Sequence, residues 1–198
     1  MIQLSHHRRL QLRSWSRTLH IYLSLFGLVM IVFFALTGFF LNHPAWFNLD
    51  NPAVRTAHGV IPADTLAQPD KLALVEHLRA QFHAVGTLDS FDVQDDELRV
   101  VFKSPARRVE AVIQRKDGAT EVTFESRNAL ARLSELHRGD DAGPAWRLVI
   151  DVVAVLVLLS AGTGVVLWLL VPKWRRWGVA AIVVCVVAGM AVYWFLVP

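Results

Sequence analysis

The sequence has very little cysteine and no acidic residue over long stretches. Its single cysteine, Cys185, excludes a disulfide framework and any cysteine-based zinc site. It also contains no P-loop, no dinucleotide fingerprint, no His-Glu-x-x-His pair and no Gly-x-Ser-x-Gly elbow. No arrangement of a nucleophile and its base can be identified, so a hydrolase or a nucleotide-dependent enzyme has no support.

Charge is scarce and unevenly distributed. Of 198 residues, 19% are charged and 54% hydrophobic, which is too apolar for an ordinary soluble domain. All 17 acids lie between Asp50 and Asp151, beside 13 of the 20 bases, so that segment is net negative by four. The other seven bases flank apolar runs: Arg8, Arg9, Arg13, Arg17, Lys173, Arg175 and Arg176. The net charge of +3 is therefore no sign of nucleic-acid binding, and no nucleic-acid partner is expected.

Three long apolar runs predict transmembrane helices. Residues 21–41 and 178–197 carry no charge, and residues 148–171 carry only Asp151. At about 1.5 Å per residue, each run is long enough to cross the roughly 30 Å hydrocarbon layer. A buried core helix is the alternative, but three such runs in one short chain favour the lipid bilayer as a partner.

The flanking bases predict the orientation. Because cytoplasmic loops are enriched in Lys and Arg, the basic tail (residues 1–20) and the loop 172–177 are placed inside. Residues 42–147 then lie outside, and the carboxyl end finishes outside at Pro198. A cleaved signal peptide would have a shorter apolar part and a small-residue cleavage site, so an uncleaved anchor is expected instead.

The outside segment is expected to open with a linker and to contain two helices. Residues 52–69 are rich in turn formers and predict a linker. A helix is expected over residues 70–83, with Asp70 as its N-cap and an apolar face formed by Leu72, Val75, Leu78 and Phe82. A second amphipathic helix is expected over residues 127–137, with Leu130, Leu133 and Leu136 on one face.

Between these helices, alternating residues predict an antiparallel sheet. Leu98, Val100 and Phe102 share one strand face, and a second strand has Val109, Ala111 and Ile113. Asp117-Gly118 predicts a hairpin turn into a strand over residues 120–124, and Phe91 with Val93 indicates one more short strand. The predicted fold class is thus an α-helical membrane protein with a small α+β domain between its first and second spans.

Three of the eight histidines lie at the ends of predicted helices. His20 opens the first span, His43 closes it, and His137 ends the second amphipathic helix. His20 and His43 are 23 residues apart, or about 34 Å along a helix, so they cannot share one ligand within a chain. His43 and His137 lie on the same side and are able to meet. Neutral imidazoles of this kind are axial ligands of electron-transfer haem, and the other five histidines are expected to be solvated or structural.

Some small and acidic residues of the predicted spans have more than one interpretation. Ser24 and Gly27 follow His20 on one helix face, which leaves room for a flat cofactor or for a close helix. Ser160 and Gly164 form a small-residue pair typical of helix packing. Asp151 is an intramembrane carboxylate and hence a functional candidate, or it pairs with Arg147 at the interface.

Several short motifs resemble PepSY-associated transmembrane proteins. Residues 17–27 (RTLHIYLSLFG), 36–38 (LTG) and 41–43 (LNH) resemble the first helix of that family. Residues 136–139 (LHRG), Asp151 and residues 162–168 (GTGVVLW) resemble its second hallmark helix. The expected helix and antiparallel sheet outside the membrane are similar to a PepSY-type module.

The resemblance implies a bacterial inner-membrane protein with a periplasmic PepSY-like domain at residues 42–147. It implies b-type haem and electron transfer to a periplasmic acceptor, as in iron-siderophore reduction or flavoprotein-linked reduction. His20, His43 and His137 match the family's helix-edge histidines. Unlike larger members, this chain has three spans and no second inner histidine to accompany His20. His20 then pairs across a homodimer, or only His43 and His137 bind haem, or none of them does.

A second function from another class is a non-catalytic membrane-anchored module. The histidines would then be interface residues, and the edge of the PepSY-type sheet would recruit a peptide or protein, either to hold it or to assist its assembly.

Overall fold

Along the chain, one long helix precedes a five-stranded antiparallel sheet and two long helices follow it. The structure is a computed structural model and describes residues 6–62, 66 and 70–198. Its elements are α1 (His6–Asn42), β1 (Ala53–Val60), α2 (Lys71–Phe82), β2 (Thr87–Val93), β3 (Glu97–Ser104), β4 (Arg107–Gln114), β5 (Ala119–Ser126), α3 (Ala129–Arg138), α4 (Gly143–Leu169) and α5 (Pro172–Leu196).

The three apolar runs form the long helices α1, α4 and α5. These helices have 37, 27 and 25 residues, and each contains a stretch apolar enough and long enough to cross a membrane. The prediction of three such helices is confirmed. Helix α1 begins at His6, so it includes much of the basic tail. Helix α5 begins at Pro172, so residues 172–177, expected as a loop, form its first turns, because proline is well tolerated at the first helical position.

The sequence predicted a periplasmic domain inserted between the first and second spans. The structure supports three apolar helices and a small antiparallel sheet. The sheet follows α1 in the chain, and α4 and α5 come at the C-terminal end. By their contacts the residues form two compact units. One contains α1 up to Ile31 together with the chain from Asp151 onward, and the other contains Val32–Ile150.

The sheet is entirely antiparallel, with the strand order β1-β5-β4-β3-β2. One of its faces is buried, and the predicted residues Leu98, Val100, Phe102, Val109, Ala111 and Ile113 all lie in that core. The predicted turn is also present: Gly118 has a φ of 72°, and the Asp117 carboxylate accepts a hydrogen bond from the amide of Ala119. A side chain at Gly118 would collide with the carbonyl oxygen of Ile61, so this turn requires glycine.

Helix α2 covers the buried face of the sheet. Asp70 caps it as predicted, since its carboxylate accepts a hydrogen bond from the amide of Leu72 at 2.9 Å. The buried face consists of Leu74, Val75, Leu78 and Phe82, so three of the four predicted residues are correct. Leu72 is 69% exposed, because it lies in the first turn, ahead of the sheet contact, and Leu74 takes its place in the core.

The predicted linker over residues 52–69 is wrong for its first half. Residues 53–60 form the edge strand β1, which pairs with β5 along its whole length, from Ala53 opposite Ser126 to Val60 opposite Ala119. The turn-forming residues that predicted a linker here lie instead at the ends of strand β1. Residues 63–65 and 67–69 lie outside the part of the chain that the structure describes.

The buried face of helix α3 matches the predicted one only in part. Its buried residues are Ala131, Ser134 and Glu135, whereas Leu133 is 38% exposed. Of the predicted leucines, Leu130 packs against the cluster formed by Leu49, Ala106 and Ala131. The carboxylate of Glu135 is used there as well: it accepts a hydrogen bond from the amide of Ala106 and pairs with Arg127.

Candidate functional site

The imidazole ring of His20 packs against helix α4. Its Nδ1 lies 3.0 Å from the carbonyl oxygen of Ser160 and 3.2 Å from the hydroxyl of Thr163. The Thr163 hydroxyl donates to the same Ser160 carbonyl at 2.8 Å. Because a carbonyl oxygen only accepts, Nδ1 of His20 must carry the proton and donate it. When the ring is neutral, Nε2 is therefore the nitrogen without a proton.

The small residues on this face admit a close helix. A Cβ on Gly164 would lie 3.1 Å from Cε1 of His20, so the imidazole rests directly on the backbone of α4. One turn along α1, the hydroxyls of Ser24 and Ser160 are 2.7 Å apart. Of the two occupants that the sequence allowed for this face, a helix occupies it. The predicted packing role of Ser160 and Gly164 is confirmed.

His137 lies at the end of α3 and contacts α1. Its Nδ1 is 2.7 Å from the hydroxyl of Thr37, which is only 1% exposed. That hydroxyl donates its own proton to the carbonyl oxygen of Phe33 at 2.6 Å. With the hydroxyl proton used in this way, Nδ1 of His137 must be the donor toward Thr37. Again Nε2 is left as the unprotonated nitrogen.

Apolar groups hold the His137 ring on its other sides. The ring of Phe34 meets it edge-on, with 5.0 Å between ring centroids. A Cβ on Gly38 would lie 3.4 Å from Cε1 of His137. One residue before His137, the carbonyl of Leu136 accepts a hydrogen bond from the indole of Trp146 at 2.7 Å. The imidazole is thus fixed in orientation and only partly exposed.

His43 performs a structural task at the end of α1. Its Nδ1 donates to the carbonyl oxygen of Phe39 at 3.1 Å, and this carbonyl is one of the last four of the helix. The ring lies between those of Phe39 and Trp46, with centroid distances of 4.6 and 4.3 Å. Trp46 is 73% exposed. His43 is therefore a helix cap within an aromatic stack, and its Nε2 is also left unprotonated.

The three histidines share one arrangement. In each, Nδ1–H is donated to a carbonyl or hydroxyl oxygen, and no hydrogen bond to Nε2 is recorded within residues 6–62 and 70–198. Ligating histidines characteristically hold one ring nitrogen by such a second contact, which fixes the tautomer. His77 differs, since its Nε2 bonds to the side chain of Gln81 at 2.9 Å. This difference separates the three candidates from an ordinary surface histidine.

The structure does not bring His43 and His137 together. His137 contacts Thr37 and Phe34, whereas His43 stacks on Phe39 and Trp46, and no contact between the two rings is recorded. In the described part of the chain, no three His, Cys, Asp or Glu side chains are grouped so as to hold a metal ion. In the described part of the chain, each of the three histidines therefore stands apart from any such group. Asp151 is exposed on α4, and Cys185 is exposed on α5.

Sequence reasoning missed the partners of these histidines. Thr37 and Thr163 occur in the motifs LTG and GTGVVLW, but their side-chain roles follow only from residues more than 90 positions away. The available signal was a hydroxyl residue on an otherwise apolar helix, where its polar group needs a partner. Glu135 was missed for a related reason, because its buried partner Ala106 is an unremarkable turn residue in the sequence.

These features define a membrane protein with three spanning helices, a five-stranded antiparallel sheet and three imidazoles fixed by hydrogen bonds, two of them at helix ends and His20 within α1. The PepSY_TM-like family model matches residues 14–198, nearly the whole chain, and the protein belongs to this family. The suspected PepSY-associated family is thereby confirmed. Neither the curated proteins nor the solved structures include a match to the chain.

Proposed function

We propose that this PepSY_TM-like protein binds b-type haem and transfers electrons across the membrane. The observation that carries the proposal is the shared state of His20, His43 and His137, each with Nδ1–H donated and Nε2 left as a ligand. When bound, haem b supplies a one-electron redox couple.

His20 and His137 would each present Nε2 as an axial ligand, with α4 already filling the small-residue face beside His20. The backbone of Gly164 lies against the His20 ring, and that of Gly38 lies against the His137 ring, so both imidazoles are held in close contact. Phe34 adds an apolar wall beside His137. Such surroundings exclude water and provide the low dielectric that tunes a redox potential.

The protein's own polar groups hold these ligands ready. The Thr37 hydroxyl and the Ser160 carbonyl accept the Nδ1 protons, which keeps each ring from rotating and makes Nε2 more basic. Since neither histidine faces a second one within the described chain, the other axial position would be filled from outside the chain. A homodimer supplies such a ligand, and we include it in the proposal.

We further propose that the protein resides in a bacterial inner membrane, with its N-terminus in the cytoplasm and its C-terminus and its sheet, a PepSY-like module, in the periplasm. The seven bases outside the segment between Asp50 and Asp151 support this orientation. Electrons would pass from the membrane or cytoplasmic side to a periplasmic acceptor, either a flavoprotein or an iron–siderophore complex.

An absorption spectrum tests the haem proposal. Purified full-length protein from cells supplied with haem is expected to show a reduced-minus-oxidised b-type signal. The haem-to-protein ratio should fall in His137→Ala and in His20→Ala, and it should fall furthest when both are combined. His77→Ala is the matched control and should retain the wild-type ratio, because His77 is a surface residue bonded to Gln81. A colourless wild-type protein, or an unchanged ratio in the double variant, would rule out these ligands.

Reporter fusions test the orientation. A reporter active only outside the cytoplasm, fused after Pro198, is expected to be active. The same reporter inserted between α4 and α5, after Leu170, should be inactive, since seven bases favour the inside. Activity at the second position, with none at Pro198, would reverse the topology and leave the haem proposal untouched.

The sheet edge favours the second candidate function, a membrane-anchored binding or assembly module. In the described residues, β1 is an edge strand of eight residues paired only with β5, and its Val54 and Val60 are 60% and 62% exposed. The opposite edge, β2, is interrupted by a register shift at Leu88 and Ser90. An added strand would therefore pair with β1. Complete absence of haem from the purified protein would favour this function.

A further inference from the structure

A small groove opens at one end of the sheet, beyond the cover of α2. It has a volume of about 300 Å³ and is bordered by β1, β4, β5 and the loop after α2. Its apolar lining includes Val85, Val109 and Phe124, and Val54 borders it from the opposite face of the sheet. Two arginines, Arg55 and Arg107, also line it. The groove thus combines an apolar lining with two positively charged side chains.

The strand register places both arginines on the same side of the sheet. Arg55 on β1 and Val109 on β4 both pair with Phe124, which lies on β5 between these two strands. Arg107 shares a face with Val109, because alternate residues of a strand point the same way. Arg107 lies two strands away from Arg55 and two residues further along the sheet, so their Cα atoms are roughly 12 Å apart, which their long side chains are able to span.

These two arginines have no acidic partner in the described part of the chain. The neighbouring bases are all paired: Lys103 with Asp89 at 2.9 Å, Arg108 with Glu110 at 2.8 Å, and Arg127 with Glu135. Arg55 instead places its guanidinium 4.7 Å from the centroid of the Phe124 ring. Glu125 also borders the groove, but alternation along β5 directs it to the face opposite Phe124.

We propose that this groove binds a small organic carboxylate with an apolar or aromatic body. Arginine forks recognise carboxylates through paired charge-assisted hydrogen bonds, and two guanidiniums without an acidic partner in the described chain, beside an apolar wall, match such an amphipathic anion. The volume lies at the lower end of the range for small-molecule sites, so it suits a single ring rather than a long chain. The site lies apart from the three histidines and does not depend on haem.

Fluorine NMR on the full-length protein in an uncharged detergent tests this site. The probe is 4-(trifluoromethyl)benzoate, and its neutral counterpart is 4-(trifluoromethyl)benzyl alcohol. Protein is expected to broaden the benzoate signal saturably, and excess unlabelled benzoate should reverse the broadening. In the Arg55→Gln/Arg107→Gln double variant the affinity should fall by about tenfold or more, because charge-assisted hydrogen bonds are lost.

Two controls make the result decisive. Arg132→Gln removes an exposed arginine on α3 and should leave the affinity for benzoate unchanged. The alcohol partitions into detergent alike for all variants, so it should not distinguish them. Equal saturable broadening of benzoate in the wild type and the double variant, or no saturable broadening at all, would overturn the proposal. Unchanged circular dichroism of the double variant excludes unfolding as the cause of a loss.

Discussion

Replacing Thr37 with valine is expected to weaken the haem binding proposed above by about 10- to 100-fold, the range typical of lost contacts behind a metal ligand. Valine has nearly the shape of threonine but cannot accept the Nδ1 proton of His137, which Thr37 accepts at 2.7 Å. Without this acceptor, we expect the His137 ring to rotate or to carry its proton on Nε2. Either change removes the free nitrogen that a haem iron needs.

The serine variant provides the matched control. Thr37→Ser retains the hydroxyl and should keep most of the wild-type affinity. Because Thr37 acts through His137, it is a positioning residue, and a readout independent of haem is needed. The ¹⁵N signals of the His137 ring in haem-free protein should report a protonated Nδ1 in the wild type and in Thr37→Ser. A wild-type tautomer in Thr37→Val would contradict the argument even if haem binding had weakened.

The second large effect concerns stability. Glu135→Ala is expected to lower the free energy of unfolding by about 2 kcal/mol, because the buried amide of Ala106 loses its acceptor and the partly exposed Arg127 loses its ion pair. Glu135 is 5% exposed, accepts the amide proton of Ala106 and pairs with Arg127. Removing the carboxylate orphans both groups. Ala106 also has a φ of 60°, a conformation that L-residues adopt only when their surroundings hold them in it.

Thermal unfolding and hydrogen exchange measure this effect. The melting temperature of the detergent-solubilised Glu135→Ala protein should fall, and amides near the β3–β4 turn should exchange faster. Glu76→Ala is the control: Glu76 is 65% exposed, lies 4.0 Å from Arg79, and should change stability by less than about 1 kcal/mol. Equal melting temperatures for the two variants would show that the buried pair contributes nothing.

Local signals allowed much of the fold to be predicted. A long uncharged run identifies a spanning helix without reference to any other residue, and Asp70 and the Asp117-Gly118 turn act on their immediate neighbours. β1 was missed because it exists only through its pairing with β5, about 60 residues away. The buried face of α3 was predicted only in part for the same reason, since hydrophobicity alone favoured Leu133 over Glu135.

The candidate site was predictable in its residues but not in its chemistry. Position at helix ends and a family resemblance were sufficient to select His20, His43 and His137. Their tautomers depend on Ser160, Thr37 and the carbonyl of Phe39, and two of those three contacts join different helices. For the same reason, the sequence could not decide whether a cofactor or a helix occupies the small face beside His20.

Helix α5 has no buried residue, and large apolar side chains such as Ile182, Tyr193 and Phe195 are half or more exposed. Beyond its first turns, where Gly178 lies against Trp168, it therefore presents an apolar surface suited to contact with lipid. Lipid distinguishes poorly between one aliphatic side chain and another. Much of α5 should then accept exchange among apolar residues over evolutionary time, whereas the His20 and Ser24 face of α1 should not.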